Sequence, residues 1–226
     1  MMREKILMIE TSTECCSVAL SDGDRIVASR VDELPRRQSS MLAPYLAEVL
    51  QEAGIPAASL DAVAVSAGPG SYTGLRVGVS TAKGVCFGCG KPLIGVDTLR
   101  ILALQAESRY DRIVAMIDAR RMEVYAAPFD GDGNRLGETE AVILNADSYR
   151  QDLEAGTVLF IGTGVAKFQA VCPHPNASFQ TCYPLAEHML LPALESFKKK
   201  EFEDIAYFEP FYLKEFVAGI SRKSVL

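Results

Sequence analysis

The chain is short of histidine, of long apolar runs and of positive charge. His174 and His188 are its two histidines in 226 residues, and they stand fourteen positions apart. Metal-binding histidine pairs on a helix stand at i, i+4, so these two cannot share a helix face as ligands in that way. No stretch approaches the ~20 consecutive apolar residues of a membrane span. The N-terminal "MMREKILMIETS" has an apolar stretch too short for the core of a secretory signal, so a cytoplasmic protein without membrane contact is expected. Lys and Arg number 23 against 29 Asp and Glu, a net charge of −6. That field repels nucleic acid, leaving any role toward it local or indirect. The basic spots Arg36-Arg37 and Lys198-Lys199-Lys200 read as solvated faces. Six cysteines in a reducing compartment read as free thiols. Cys86-Phe87-Gly88-Cys89 lacks the second pair and the nearby His of a zinc site.

What is present is enough apolar residue, 49%, for one large core or two small ones. "EKILMIETS", "CCSVALSDGD" and "RIVASRV" read as three strands, the last two joined at an Asp-Gly turn. "SSMLAPYLAEVLQEAG" reads as a helix with Ser caps that stops at Gly54. Then come a buried strand "LDAVAVSAG", a helix "SYTGLRVGVSTAKGVCFG", a strand "KPLIGVD" and a helix "TLRILALQAESR" capped by Asp97 or Thr98. A second, shorter pass follows: a strand pair in "DRIVAMIDARRMEVYAAPF", helix "NADSYRQDLEA", strand "TVLFIGTG" and helix "VAKFQAVC". It ends in "YPLAEHMLLPALESFKKK", a helix interrupted by Pro192, and the extended "YFEPFYLKEFV". Both passes open on a strand with an acidic end, Glu10 and Asp118, which points to a duplicated α/β architecture.

The segment "SAGPGSYTGLRVGVSTAKG", 66–84, suggests a phosphate loop, but its spacing fails each template. No Gly-Lys-Ser/Thr closes a P-loop, Gly68-Pro69-Gly70 is followed by Gly74 one residue too late for a dinucleotide fingerprint, and Ser71 lacks the flanking glycines of a nucleophile elbow. Gly74, Gly78 and Ala82 recur every four residues inside the helix. Each glycine costs roughly 1 kcal/mol of helix propensity, so a backbone packs closely along that line, in this chain or in another. In the preceding helix Met41, Leu42, Tyr45, Leu46, Val49, Leu50 and Ala53 cover roughly 180° of surface, wider than the ~100° needed for one core. A surplus apolar face for a protein partner is expected, a wedge between two internal layers being the alternative.

In order and spacing, "ILMIETSTECCSVAL", "RRQSSMLAPYLAEVL", "AVSAGPGSYTGLRVGVSTAKG", "PLIGVDTL" and "IDARRMEVYAAPF" resemble the TsaB (YeaZ) family, homologues of the glycoprotease-like TsaD. The resemblance is strong over 5 to about 130 and weak beyond. It implies an α/β actin-like ATPase (ASKHA) fold of two ribonuclease-H-like lobes, the second shortened: 1–100 and 101–204, with about 205–226 packing back on the first. It further implies a catalytically silent partner of TsaD. TsaD transfers the threonylcarbamoyl group to the adenosine beside the anticodon in tRNAs reading ANN codons, TsaE joins the assembly, and tRNA is reached indirectly. Helices about 39–53 and 71–88 would form the contact, with Leu46, Leu50, Leu75 and Val79 as apolar contacts and Gly74 and Gly78 for close approach. An isolated chain would cover the same face by homodimerising. No catalytic or metal-binding residue is expected, and ATP or ADP only at the interface of the complex. "IDARR" puts side chains where the fold's ATPases have glycines, "FIGTGVA" keeps part of an adenosine turn, and Gln38 stands where many relatives carry His. The competing class is a metal-dependent glycopeptidase or ATP-binding enzyme of the same fold; a third is an interaction module unrelated to tRNA.

Overall fold

The structure, a computed structural model, describes residues 3–35, 37–107 and 109–213. Arg36 and the end of the expected C-terminal segment, 214–226, lie outside them. The first sheet holds β1 (Ile6–Glu10), β2 (Cys16–Asp22), β3 (Arg25–Asp32), β4 (Ala62–Gly68) and β5 (Leu93–Asp97), in the order β3-β2-β1-β4-β5. β1 runs antiparallel to β2 and parallel to β4. All five β1 residues are buried, as an unbroken apolar strand covered on both faces requires. Gly23 takes φ 67° in the β2–β3 turn, a left-handed value that glycine adopts without steric cost.

The second sheet holds β6 (Arg112–Asp118), β7 (Glu123–Phe129), β8 (Glu140–Ile143), β9 (Val158–Ile161) and β10 (Ala177–Gln180), in the order β10-β9-β6-β7-β8. Read from β8, its order and strand directions repeat those of the first sheet. This is the duplicated topology of an actin-like fold with two ribonuclease-H-like lobes. Shortening is plain in the helices: α1 (Gln38–Ala53) and α2 (Tyr72–Cys89) have 16 and 18 residues, whereas α4 (Arg150–Ala155) and α5 (Val165–Gln169) have 6 and 5.

Two helices cross between the lobes. α3 (Thr98–Ala103), capped by Asp97 Oδ1 accepting from Leu99 N–H at 2.9 Å, ends well before the expected Arg109. Its Leu99, Leu102 and Ala103 pack with Ile113, Ala115 and Phe129 of the second lobe. α6 (Leu190–Lys199) does the reverse, setting Met189 and Ala193 against Ile6, Met8 and Ala64 of the first. Chain past Ala186 is therefore first-lobe structure, so the expected 101–204 boundary is corrected: the return begins about twenty residues before 205. Pro192 sits in the first turn of α6, where its missing N–H has no intrahelical acceptor to lose, so it does not interrupt the helix. After α6, a strap along the first lobe has Glu203 N–H on Leu93 O at 2.9 Å and Phe211 N–H on Ala67 O at 2.7 Å, with Ile205 and Phe208 on the core between them. Among the described residues no helix is long and apolar enough to cross a membrane.

Candidate functional site

The resemblance to the actin-like ATPases implies that nucleotide and metal would be met at the ends of β1 and β6. β1 runs into Glu10-Thr11-Ser12-Thr13; the first three are fully buried and Thr13 is 7% exposed. Glu10 Oε1 accepts from Ser12 N–H. Burial lifts the Glu10 carboxyl to about 7, against the lowering pull of hydrogen bonds from Ser12 and Ser66. Glu10 Oε2, Ser12 Oγ and Thr13 Oγ1 are buried without a hydrogen-bond partner among the described residues.

Over this turn lies the glycine segment. Ser71 N–H donates to Ser12 O at 2.6 Å, and a Cβ on Gly70 would stand 2.4 Å from the same oxygen. Ser71 Oγ caps α2 by accepting from Gly74 N–H at 3.3 Å. A Cβ on Gly74 would lie 2.0 Å from Thr11 O, and one on Gly78 would lie 2.2 Å from Thr11 Oγ1, which donates to Gly74 O at 2.8 Å. The backbone that Gly74 and Gly78 admit is thus the turn after β1 in the same chain. On the far side, a Cβ on Gly68 (φ 106°) would meet Phe211 O of the strap at 2.6 Å. Gln38, at the start of α1, closes the last side by donating to Thr13 O at 2.8 Å and Glu14 O at 3.1 Å.

At the other end, exposed Asp118 is held by Lys167 Nζ at 2.7 Å and by the Arg120 N–H at 2.6 Å. Arg120 and Arg121 both take left-handed φ values, 72° and 51°, so their side chains stand in the turn. Gly162 (φ 121°) in "FIGTG" is filled from below, its Cβ direction ending 2.3 Å from Met116 O. The residues present do not fit an ATP phosphate chain with its metal. The first turn has no accessible backbone for a phosphate, and the second carboxylate is already paired with a lysine.

Of the residues expected to meet a partner, Leu75 is fully buried in its own chain. Leu46 and Val79, 7% and 4% exposed, belong to one core with Ile9, Val18 and Val65, and Leu50 packs against it. The wide apolar arc of α1 is spent the same way, with Tyr45 and Ala53 on that core and Tyr45 Oη donating to Asp32 at 3.2 Å. Leu46, Leu75 and Val79 therefore cannot form an exposed face, while Tyr45, Leu50 and Ala53 are half-buried at its edge. The outward surface of the helix pair is instead Ser39, Ser40, Ala43, Pro44, Ala47, Gln51 and the Arg30-paired Glu48 and Glu52 on α1, with Thr73, Arg76, Ser80, Gly84, Phe87 and Gly88 on α2. It is made mostly of small uncharged residues, and Gly84 and Gly88 have nothing within 4 Å of a Cβ. Gly84 and Gly88 also stand four residues apart, on a line of α2 outside the Gly74, Gly78 and Ala82 repeat.

Elsewhere, His174 Nδ1 accepts from Asn176 N–H at 3.2 Å, and burial holds His188 below its ordinary pKa. No group of three or more His, Cys, Asp or Glu among the described residues is placed to hold a metal. The six cysteines are unpaired, and burial pushes the Cys15, Cys16 and Cys86 thiols up to about 12, far from thiolate reactivity.

The family model described as "TsaD: tRNA N6-adenosine threonylcarbamoyltransferase" matches residues 32–220. The tRNA threonylcarbamoyladenosine biosynthesis protein TsaB of Escherichia coli K12 is 32% identical over 223 residues, covering 95% of this chain and 96% of that protein. The protein of the same name from Haemophilus influenzae is 31% identical over 223 residues, with 92% and 93% covered. YeaZ from Pseudomonas aeruginosa superposes with a TM-score of 0.83 at 30% identity, covering 93% of this chain and all of that one. With its duplicated lobes, its sealed first turn and similarity along nearly its whole length, the chain belongs to the TsaB (YeaZ) family.

Proposed function

We propose that this protein is the non-catalytic accessory subunit of tRNA threonylcarbamoyladenosine biosynthesis. It pairs with a TsaD homologue, which carries out threonylcarbamoyl transfer to the adenosine beside the anticodon. The observation that carries this reading is the closure of the turn after β1: the place where an actin-like ATPase admits phosphate is filled by Gly70, Gly74 and Gly78 of the chain itself. What remains for function is a surface. The outward face of α1 and α2 suits helix-on-helix contact, because Ala43, Ala47, Ser80 and Gly84 let a second pair of helices approach closely. TsaE joins the assembly, tRNA is met through TsaD, and ATP or ADP enters only at the shared interface. The complex works in the cytoplasm, and the same face pairs two copies when TsaD is absent.

The test is co-purification with the TsaD homologue of the same organism, beside nucleotide titration and metal analysis of the isolated chain. Wild-type protein is expected to form the complex. Ala47→Arg and Gly84→Arg, whose side chains leave the fold on the solvent side, are expected to lose it, Ala47→Arg at a melting temperature close to wild type and Gly84→Arg at one equal to or above it. Stoichiometric metal or micromolar ATP affinity in the isolated chain sinks the non-catalytic reading; wild-type binding by both Arg variants sinks the interface.

A further inference from the structure

In the first lobe α1 lies across β2 and β3 and lowers Leu42, Leu46 and Val49 onto the sheet. Its counterpart α4 lowers Leu153 alone. Over β7 and β8, the matching strands of the second lobe, there is a cavity of about 280 Å³, close to the lower bound of the ~300–1,000 Å³ typical of small-molecule sites. Its apolar lining comes from Val114, Ala126 and Val142.

Tyr149, in its wall, is unusual in two ways. Its backbone is left-handed at φ 60°, a conformation that costs a non-glycine residue of order 1 kcal/mol and clusters at functional sites. Its ring is fixed against Phe160 and Phe168 at centroid distances of 5.4 and 5.6 Å, yet its hydroxyl is buried with no hydrogen-bond partner among the described residues. A buried unpaired hydroxyl requires an explanation. Charge in the lining is one-sided. Arg112 is neutralised by its ion pair with Asp152, while Glu138 and Glu140 are exposed. Glu140 lies near enough to Tyr149 to add to the upward pull of burial on the phenol.

We propose that this cavity is a binding site for a small organic cation, an ammonium or guanidinium group on a compact apolar body. The body rests on Pro128 and Val142 over Ala126, Tyr149 supplies the hydrogen bond, and Glu138 and Glu140 hold the charge. The site shares no residue with the α1–α2 face, so its failure and that of the accessory reading are separate.

The experiment is an amide-resonance titration of the full chain with phenethylamine, and with 3-phenylpropionate as an anion of matching shape. Saturable shifts are expected for the amine at a Kd of about 1 mM or below, centred on residues 112–114, 126–128, 138–142 and 148–152, with no saturation by the anion. Tyr149→Phe and Glu140→Gln are each expected to raise the amine Kd about tenfold, Tyr149→Phe with a melting temperature equal to or above wild type. The proposal is overturned if the amine does not saturate, if the anion binds as tightly, if the shifts centre elsewhere, or if both variants bind like wild type.

Discussion

Gly78→Ala sets a methyl group against one named oxygen. The new Cβ would stand 2.2 Å from Thr11 Oγ1, with Thr11 Cβ and Val65 Cγ2 at an acceptable 3.5 Å. Alanine returns about 1 kcal/mol of helix propensity. Against that, Thr11 must give up its bond to Gly74 O, about 1 kcal/mol, or α2 must shift away from β1, for which overpacking costs about 1–3 kcal/mol. The expected net is a loss of about 0–2 kcal/mol, read as a urea midpoint that falls, or fails to rise, at unchanged m-value. Thr11→Ala alone loses about 1 kcal/mol with its hydrogen bond. In the double variant the clash is gone and the hydrogen bond is lost only once, so the pair couples by about 1–3 kcal/mol. Gly84→Ala, with nothing within 4 Å of its Cβ, gains about 1 kcal/mol on the same helix. A Gly78→Ala midpoint raised as far as that of Gly84→Ala, or strict additivity in the double variant, refutes the packing argument.

Glu10 gives the chain a pH dependence of definite sign. Its folded carboxyl titrates near 7 against 4.5 when free, so the folded state holds the extra proton between those values. The resulting stabilisation is complete below pH 4.5 and is lost as pH rises through 7, by about 3 kcal/mol. Glu10→Gln removes this slope, so its stability advantage over wild type is expected to grow from pH 5 to 8; a constant difference by denaturant titration contradicts the assignment. Leu75→Asp puts a carboxylate at a fully buried position and is expected to unfold the first lobe rather than merely release a partner, seen as lost cooperative melting. Phe208→Ala, which empties the space beside Gly95 and the first core, is expected to cost about 2–3 kcal/mol. A melting temperature equal to wild type would show that the strap is not part of the core.

The central strands, α1 and α2 could be read from the sequence because apolar runs and periodic stripes are local signals. β8 and β10 could not: each has four residues at a sheet edge, and neither is more than half-buried. The glycine repeat was rightly read as close packing, but spacing does not name the partner. At about 100° per residue, Gly74 and Gly78 share one line along α2, whereas Gly84 points about 100° away from it. The first line is filled by Thr11 and the second is open, and only the fold tells them apart. The strap has no periodicity at all. Its place is set by Leu93 and Ala67, more than a hundred positions upstream.

The crossing of α3 and α6 has a consequence in time. A ribosome delivers the last strand of the first sheet at Asp97, but the helix and strap that close that sheet come only with residues 190–211. At ~5–20 residues per second the first lobe waits on the order of ten seconds with Ile6, Met8 and Ala64 uncovered. Birth of this protein is therefore a single late event: a chain cut anywhere before α6 leaves the earliest-made half unfinished.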